Sequence, residues 1–180
     1  MKLVRFVRIS LVLVITFLAL AASVSAQAPT RSGFFIGFGF GAGSFGVEDV
    51  DERETSLSGY FKIGGALSDR FLLGAESSGW TKEEDGATIT SSALSAMAYF
   101  YPNAEGGLFF QGGLGISVLE LGVEGFGSDR ENGTALTLGL GYDIGFGGRF
   151  GLTPYATGVF GNYEAGNTSV FNFGLGFNWY

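Results

Sequence analysis

The chain has 180 residues, 46% of them hydrophobic and only 15% charged, with 32 glycines, 19 phenylalanines, no cysteine, no histidine and a net charge of -7. So little charge on so apolar a chain excludes disorder, and the lack of cysteine excludes a disulfide framework and thiolate metal sites. The lack of histidine removes the commonest general base and any Ser-His-Asp triad, so the composition points to no enzyme, no cofactor and no metal centre.

The first 26 residues read as a secretory signal peptide. Lys2, Arg5 and Arg8 precede the apolar run "LVLVITFLALAA", and "SVSA" places small residues Val24 and Ala26 before a cut ahead of Gln27. The run is short for a spanning helix, which needs roughly 20 residues. Losing the leader leaves 7 basic against 17 acidic residues, a net charge of -10. A chain so acidic has no means of binding nucleic acid through phosphates. Residues 27–32 form a short lead, and one domain is expected over 33–180.

Beyond the lead the recurring signal is period two, the strand pattern, in eight runs. The first, Gly33–Gly43, sets Phe34, Ile36, Phe38 and Phe40 against Phe35 and three glycines. The second, Ser56–Ala66, sets Leu57, Phe61 and Ile63 against Tyr60 and Lys62. The third, Phe71–Trp80, sets Phe71, Leu73 and Ala75 against Glu76 and Ser78. The fourth, Thr88–Tyr101, has mixed faces. The fifth, Leu108–Leu119, opposes Leu108, Phe110, Leu114, Ile116 and Val118 to Gln111, Gly113, Gly115 and Ser117. The sixth, Thr134–Phe146, opposes Leu136, Leu138, Leu140, Tyr142 and Ile144 to Thr137, Gly139, Gly141 and Asp143. The seventh, Phe150–Gly161, contains Pro154, which costs a ladder hydrogen bond. The eighth is the closing stretch "FNFGLGFNWY", Phe171–Tyr180.

The connections alternate. "LSDR", "PNAEGG" and "GGR" are short, whereas "SFGVEDVDERET", "TKEEDGA", "ELGVEGFGSDRENG" and "NYEAGNTS" hold nearly all the acidic residues. An up-and-down meander would then have short turns at one end and long acidic loops at the other. "EDVDERE" lacks the spacing of an EF-hand loop and reads as a solvated charge run, with divalent-cation binding through its oxygens as a minor role. "GFGFGAG" and "GLGLGYDIG" resemble nucleotide loops only superficially, since no helix pattern follows either.

The large apolar face is continuous, and the opposite face is mostly Gly, Ser and Thr. A soluble sandwich would expose that glycine-rich face, where glycine costs strand stability. The inverted arrangement fits better: an eight-stranded barrel whose narrow interior takes the small residues and whose bulky residues meet lipid. A spanning strand needs roughly 9–11 tilted residues, and the barrel must close because no unpaired backbone survives in hydrocarbon. The last strand then pairs with the first. Phe34, Trp80, Phe100, Tyr101, Tyr142, Phe160 and Trp179 are expected at the aromatic belts.

Taken together, "YFYPNAEGGLFFQGGLG", "LTPYATGVFG" and the aromatic closing strand resemble the small outer-membrane β-barrel proteins of the OmpA/OmpX-like (porin-family) type. The resemblance covers residues 33–180. It implies residence in the bacterial outer membrane, insertion by the barrel assembly machinery, and lipid and lipopolysaccharide as surroundings of a monomer. Tyr180 lies one residue out of phase with Phe177 and Trp179.

Four inward polar residues, Lys62, Glu76, Gln111 and Asp143, read as a polar network filling the lumen rather than as a solute pathway, because so narrow a barrel has little room. A hairpin turning near Asp69 pairs residues whose numbers sum to 138, which sets Lys62 opposite Glu76. The sequence thus points to a non-enzymatic outer-membrane barrel with a structural or surface-interaction role. The alternatives are a small-solute channel and an adhesin acting through the acidic loops.

Overall fold

A computed structural model describes residues 28–48, 50–123, 125 and 127–180. The expected signal peptide, 1–26, lies outside them. The described residues contain strands and no helix: β1 Gly33–Val47, β2 Glu54–Ala66, β3 Phe71–Glu84, β4 Ala87–Phe100, β5 Leu108–Val123, β6 Gly127–Tyr142, β7 Ile144–Gly145, β8 Phe150–Tyr163 and β9 Gly166–Trp179. All pairings are antiparallel between sequence neighbours, with β1 against β9 and β6 against β8 completing the circuit. The two-residue β7 continues β6 along β8, so the wall is an eight-stranded up-and-down barrel.

The alternation sorts side chains as the barrel requires. Leu114 is 69% exposed, Phe173 63% and Phe40 60%, all on the outer wall. Phe35, Leu72, Met97, Tyr99, Tyr101, Phe109 and Tyr180 are buried at the short-turn end of the lumen. Phe45, Trp80, Ala93, Ala135, Val159 and Val170 fill the other end. Glycine makes the interior wide enough. A β-carbon at Gly37 would overlap the side chains of Lys62 and Asn178, and one at Gly39 would overlap the Tyr60 ring.

Two expectations need correction. Trp80 and Tyr101 are not belt residues: they are 2% and 1% exposed, inside the barrel. Each shares the inward parity of its own strand, Trp80 with Glu76 and Tyr101 with Tyr99. Phe34, Phe100, Phe160 and Trp179 do face outward, and Tyr142 is half-buried.

The long acidic loops are mostly paired strand. β3 and β4 meet at the two-residue turn Asp85–Gly86, with φ of 52° and 78°, the left-handed pair of a type I′ hairpin. β8 and β9 meet at Glu164–Ala165, and β5 and β6 are separated only by 124–126. Between β1 and β2 the acidic residues stay in a loop, and Asp85 and Glu164 sit in turns, but those on β3, β5 and β6 interrupt hydrophobic alternation without interrupting the ladder. On its β8 side, β6 has no partner before Thr134, and Lys82–Glu84 of β3 have none on the β2 side. The ends of β3, β4, β5 and β6 therefore project past the wall as a small sheet. From Gly127 the free edge of β6 runs about 20 Å, at about 3.3 Å per residue.

Pro154 lies at the one interruption along the β6–β8 seam, between the pairs Gly141–Tyr155 and Ile144–Leu152. At that break the Asp143 amide turns away and donates to Gly107 O at 2.9 Å. The proline's missing donor thus coincides with a gap in the ladder that brings Asp143 to the barrel's centre.

Candidate functional site

The lumen is layered, and its first layer is built on Asp143. This carboxylate is fully buried. Its Oδ1 accepts from Thr153 Oγ1 at 2.6 Å and Asn178 Nδ2 at 3.1 Å. Its Oδ2 accepts from Tyr101 at 2.9 Å and from Tyr180 at 2.5 Å. Arg31 Nε stands 3.9 Å from Oδ2, with both side chains wholly buried.

Arg31 comes from the lead, not from the wall. It crosses the short-turn mouth and donates to the backbone carbonyls of Ala104 (2.9 Å), Asp69 (3.4 Å) and Gly106. Its guanidinium carbon lies 3.7 Å from the centre of the Tyr101 ring. Thr30 adds a backbone bond to Gly148 at 3.1 Å. The lead therefore ties three turns together and delivers the cation beside Asp143. A buried carboxylate needs such partners, since desolvation alone costs on the order of several kcal/mol per ion. The out-of-phase Tyr180 is also accounted for: it points inward and closes this network.

The second layer holds Lys62 and Glu76. They are directly opposite in the β2–β3 ladder and both are buried. They nevertheless form no ion pair within 4 Å. The Lys62 ammonium sits among three rings, 4.8 Å from the centre of Tyr99, 5.2 Å from Phe109 and 5.3 Å from Tyr60. Glu76 accepts from Tyr99 at 3.1 Å. Gln111 is buried one strand further on, opposite Tyr99 in the β4–β5 ladder. The four inward residues thus divide between two centres. Lys62, Glu76 and Gln111 gather around Tyr99. Asp143 belongs with Arg31, Tyr101, Thr153, Asn178 and Tyr180.

Above them Tyr60 meets Tyr155 edge to face at 4.8 Å, and Ser95 bonds Thr137 at 3.3 Å. The Phe45 ring then stacks on Trp80 at 4.9 Å, with Trp80 Nε1 bonded to Gly43 O at 2.9 Å. The space left beside Trp80 is about 10 Å³, roughly one water. Solute would have to displace side chains at each of these levels.

The projecting rim carries Glu48, Glu54, Glu83, Glu84, Asp85, Glu120, Asp129, Glu131 and Glu164, against Arg53, Lys82 and Arg130. Lys82 bridges Glu54 and Glu84, and Glu120 lies opposite Arg130. Among the described residues no three carboxylates converge as a cation site would need.

No protein-family model matches the chain, and no curated protein matches its sequence. Solved structures do match its shape. Ail, the attachment invasion locus protein of Yersinia pestis, is similar with a TM-score of 0.62 at 13% identity, over 83% of this chain and 99% of Ail, in its complex with the heparin analogue sucrose octasulfate. Ail by itself gives 0.58 at 14%, with the same coverage. Neisserial surface protein A (NspA) gives 0.63 at 12%, over 82% of this chain and 97% of NspA. The chain therefore has the fold of the small eight-stranded outer-membrane β-barrels.

Proposed function

We propose that this protein is a non-enzymatic resident of the bacterial outer membrane that spans it as a sealed barrel and offers its projecting sheet to partners outside. The inverted surface is the observation that carries this reading. Bulky side chains cover the outer wall while charged and aromatic side chains fill the lumen. Such a molecule is stable only where lipid replaces water around it. Lipid and lipopolysaccharide are its surroundings, the barrel assembly machinery inserts it, and it works as a monomer without nucleic acid.

The packed layers favour a plug over a channel. The unpaired edge of β6 favours surface interaction, because an exposed edge offers free backbone donors and acceptors to an extended segment. The polyanion seen with Ail is not carried over. The rim here is mainly acidic, so its partners are neutral or cationic.

Outer-membrane fractionation, with gel mobility before and after boiling, tests the location. Recovery as a soluble periplasmic protein would overturn it. Planar-bilayer recording of the refolded barrel tests the plug: no steady conductance is expected, and regular unitary steps would make it a channel.

A further inference from the structure

The seam between β1 and β9 differs from the others in the wall. A turn or loop joins every other pair of neighbouring strands, but among the described residues none joins these two. No tether opposes their separation, and bringing them together closes the longest loop in the barrel. The ladder also stops early at the short-turn end. Its last pair there is Ile36–Trp179, whereas β1 continues through Phe35, Phe34 and Gly33 beside β2.

The lead crosses that short end. At Gly33 the backbone takes a φ of 75°, the left-handed conformation that turns the chain off the line of β1. Ser32 then accepts from the Arg149 guanidinium through its carbonyl and, at 3.1 Å, its hydroxyl. The carbonyl of Arg149 accepts from the Tyr180 amide at 2.9 Å, just past the end of β9. Thr30 bonds Gly148 in the β7–β8 turn, and the buried Pro29 packs on β8, where a β-carbon at Gly151 would come within 2.8 Å of its ring. The backbone over 29–33 thus runs from β1 past β9 to β8. From the middle of that span Arg31 reaches Asp69 in the β2–β3 turn, Ala104 and Gly106 in the β4–β5 turn, and the side of Asp143. These partners are brought together only when the wall has closed.

We propose that residues 29–33 are a latch across the β1–β9 seam, hinged at Gly33 and anchored by Arg31, which seats after the barrel closes and then holds it shut. Contacts that form after the folding transition state slow unfolding and leave the rate of folding unchanged. The latch lies at the opposite mouth from the projecting sheet, so its action is separate from any partner bound there. It gives a narrow barrel a long lifetime at the one seam that has no covalent tether.

The test measures the lifetime of the folded gel band in dodecyl sulfate at a fixed raised temperature, and times refolding into mild detergent by the same band. Arg31→Gln should shorten the lifetime about a hundredfold, the scale of one partner lost from a buried pair, and refold at the unaltered rate. Gly33→Ala keeps Arg31 but strains the hinge, and should shorten the lifetime several-fold. Arg70→Gln, on the same rim but outside the latch, should change nothing. The chain has no cysteine of its own, so a disulfide can lock one chosen seam. Ile36→Cys with Trp179→Cys locks β1 to β9, and Phe71→Cys with Phe100→Cys, also directly opposite at the short-turn end, locks β3 to β4. With the first pair oxidised the effect of Arg31→Gln should shrink to about threefold or less, and with the second it should stay whole. An unchanged lifetime for Arg31→Gln, refolding slowed as much as the lifetime is shortened, failure of that variant to fold at all, or a full effect with the β1–β9 seam locked would each overturn the proposal.

Discussion

The two halves of the lumen are filled by different physics. At the short-turn end two tyrosines donate to the buried carboxylate of Asp143, and Arg31 stands 3.9 Å from it as its counter-charge. At the projecting end Phe45 and Trp80 stack, and one indole bond to Gly43 fixes their orientation. The first arrangement tolerates no missing member, because each buried charge or donor relies on the others. The second can lose a ring and let water in from the rim. A narrow barrel can thus be sealed rigidly at one mouth and softly at the other.

The largest effect is expected at the rigid end. Asp143→Ala leaves Arg31 a buried cation without its counter-charge and takes an acceptor from Thr153, Asn178, Tyr101 and Tyr180, although Asn178 keeps Thr153 and the two tyrosines keep each other. It should cost about 3–5 kcal/mol, the range for breaking a buried pair from one side. Equilibrium unfolding in detergent and urea reads this directly, and a loss under about 1 kcal/mol would show that the network adds little to stability. Trp80→Ala should cost about 3 kcal/mol, the low end for a large buried aromatic, since the cavity opens toward water. It should also admit small solutes into the outer half without producing through-conductance, because the Asp143 layer is untouched.

The middle layer is expected to respond less. Lys62→Met places a flexible apolar chain among three rings, and Glu76→Gln keeps an acceptor for Tyr99. The double-mutant cycle of these two should show coupling of about 1 kcal/mol, as for close but unbonded opposite charges. Coupling near zero would mean that the aromatic cage alone holds Lys62. At the tip of the projecting sheet, Gly86→Ala should cost about 1 kcal/mol through its positive φ, with gel mobility unchanged. Misfolding from that change would show that the hairpin helps nucleate the barrel.

The wall of this barrel was legible because parity persists through every spanning run. The turn at Asp69 even fixed the Lys62–Glu76 register. Aromatic identity points Trp80 and Tyr101 to the belts, but the parity of their own strands places them inside. The projecting sheet looks like loops in the sequence because solvent bathes both its faces, and hydrophobic alternation then has nothing to report. Arg31 left no local signal at all, since its partner lies 112 positions away. One clue existed: Lys62 faces Glu76, which leaves Asp143 as an inward charge with no cation on the wall.

The central claim is that large side chains on one parity meet lipid while those on the other are sealed inside. The chain has two tryptophans, one of each kind: Trp179 is 48% exposed on the outer wall and Trp80 is 2% exposed within. Trp80→Phe and Trp179→Phe each leave a single reporter in barrels folded into vesicles of phosphatidylcholine with brominated acyl chains. Trp179 should be strongly quenched by the bromine and spared by aqueous iodide, whereas Trp80 should be spared by both. Quenching of Trp179 by iodide alone, or of Trp80 by brominated lipid as strongly as Trp179, would contradict the inverted, sealed barrel.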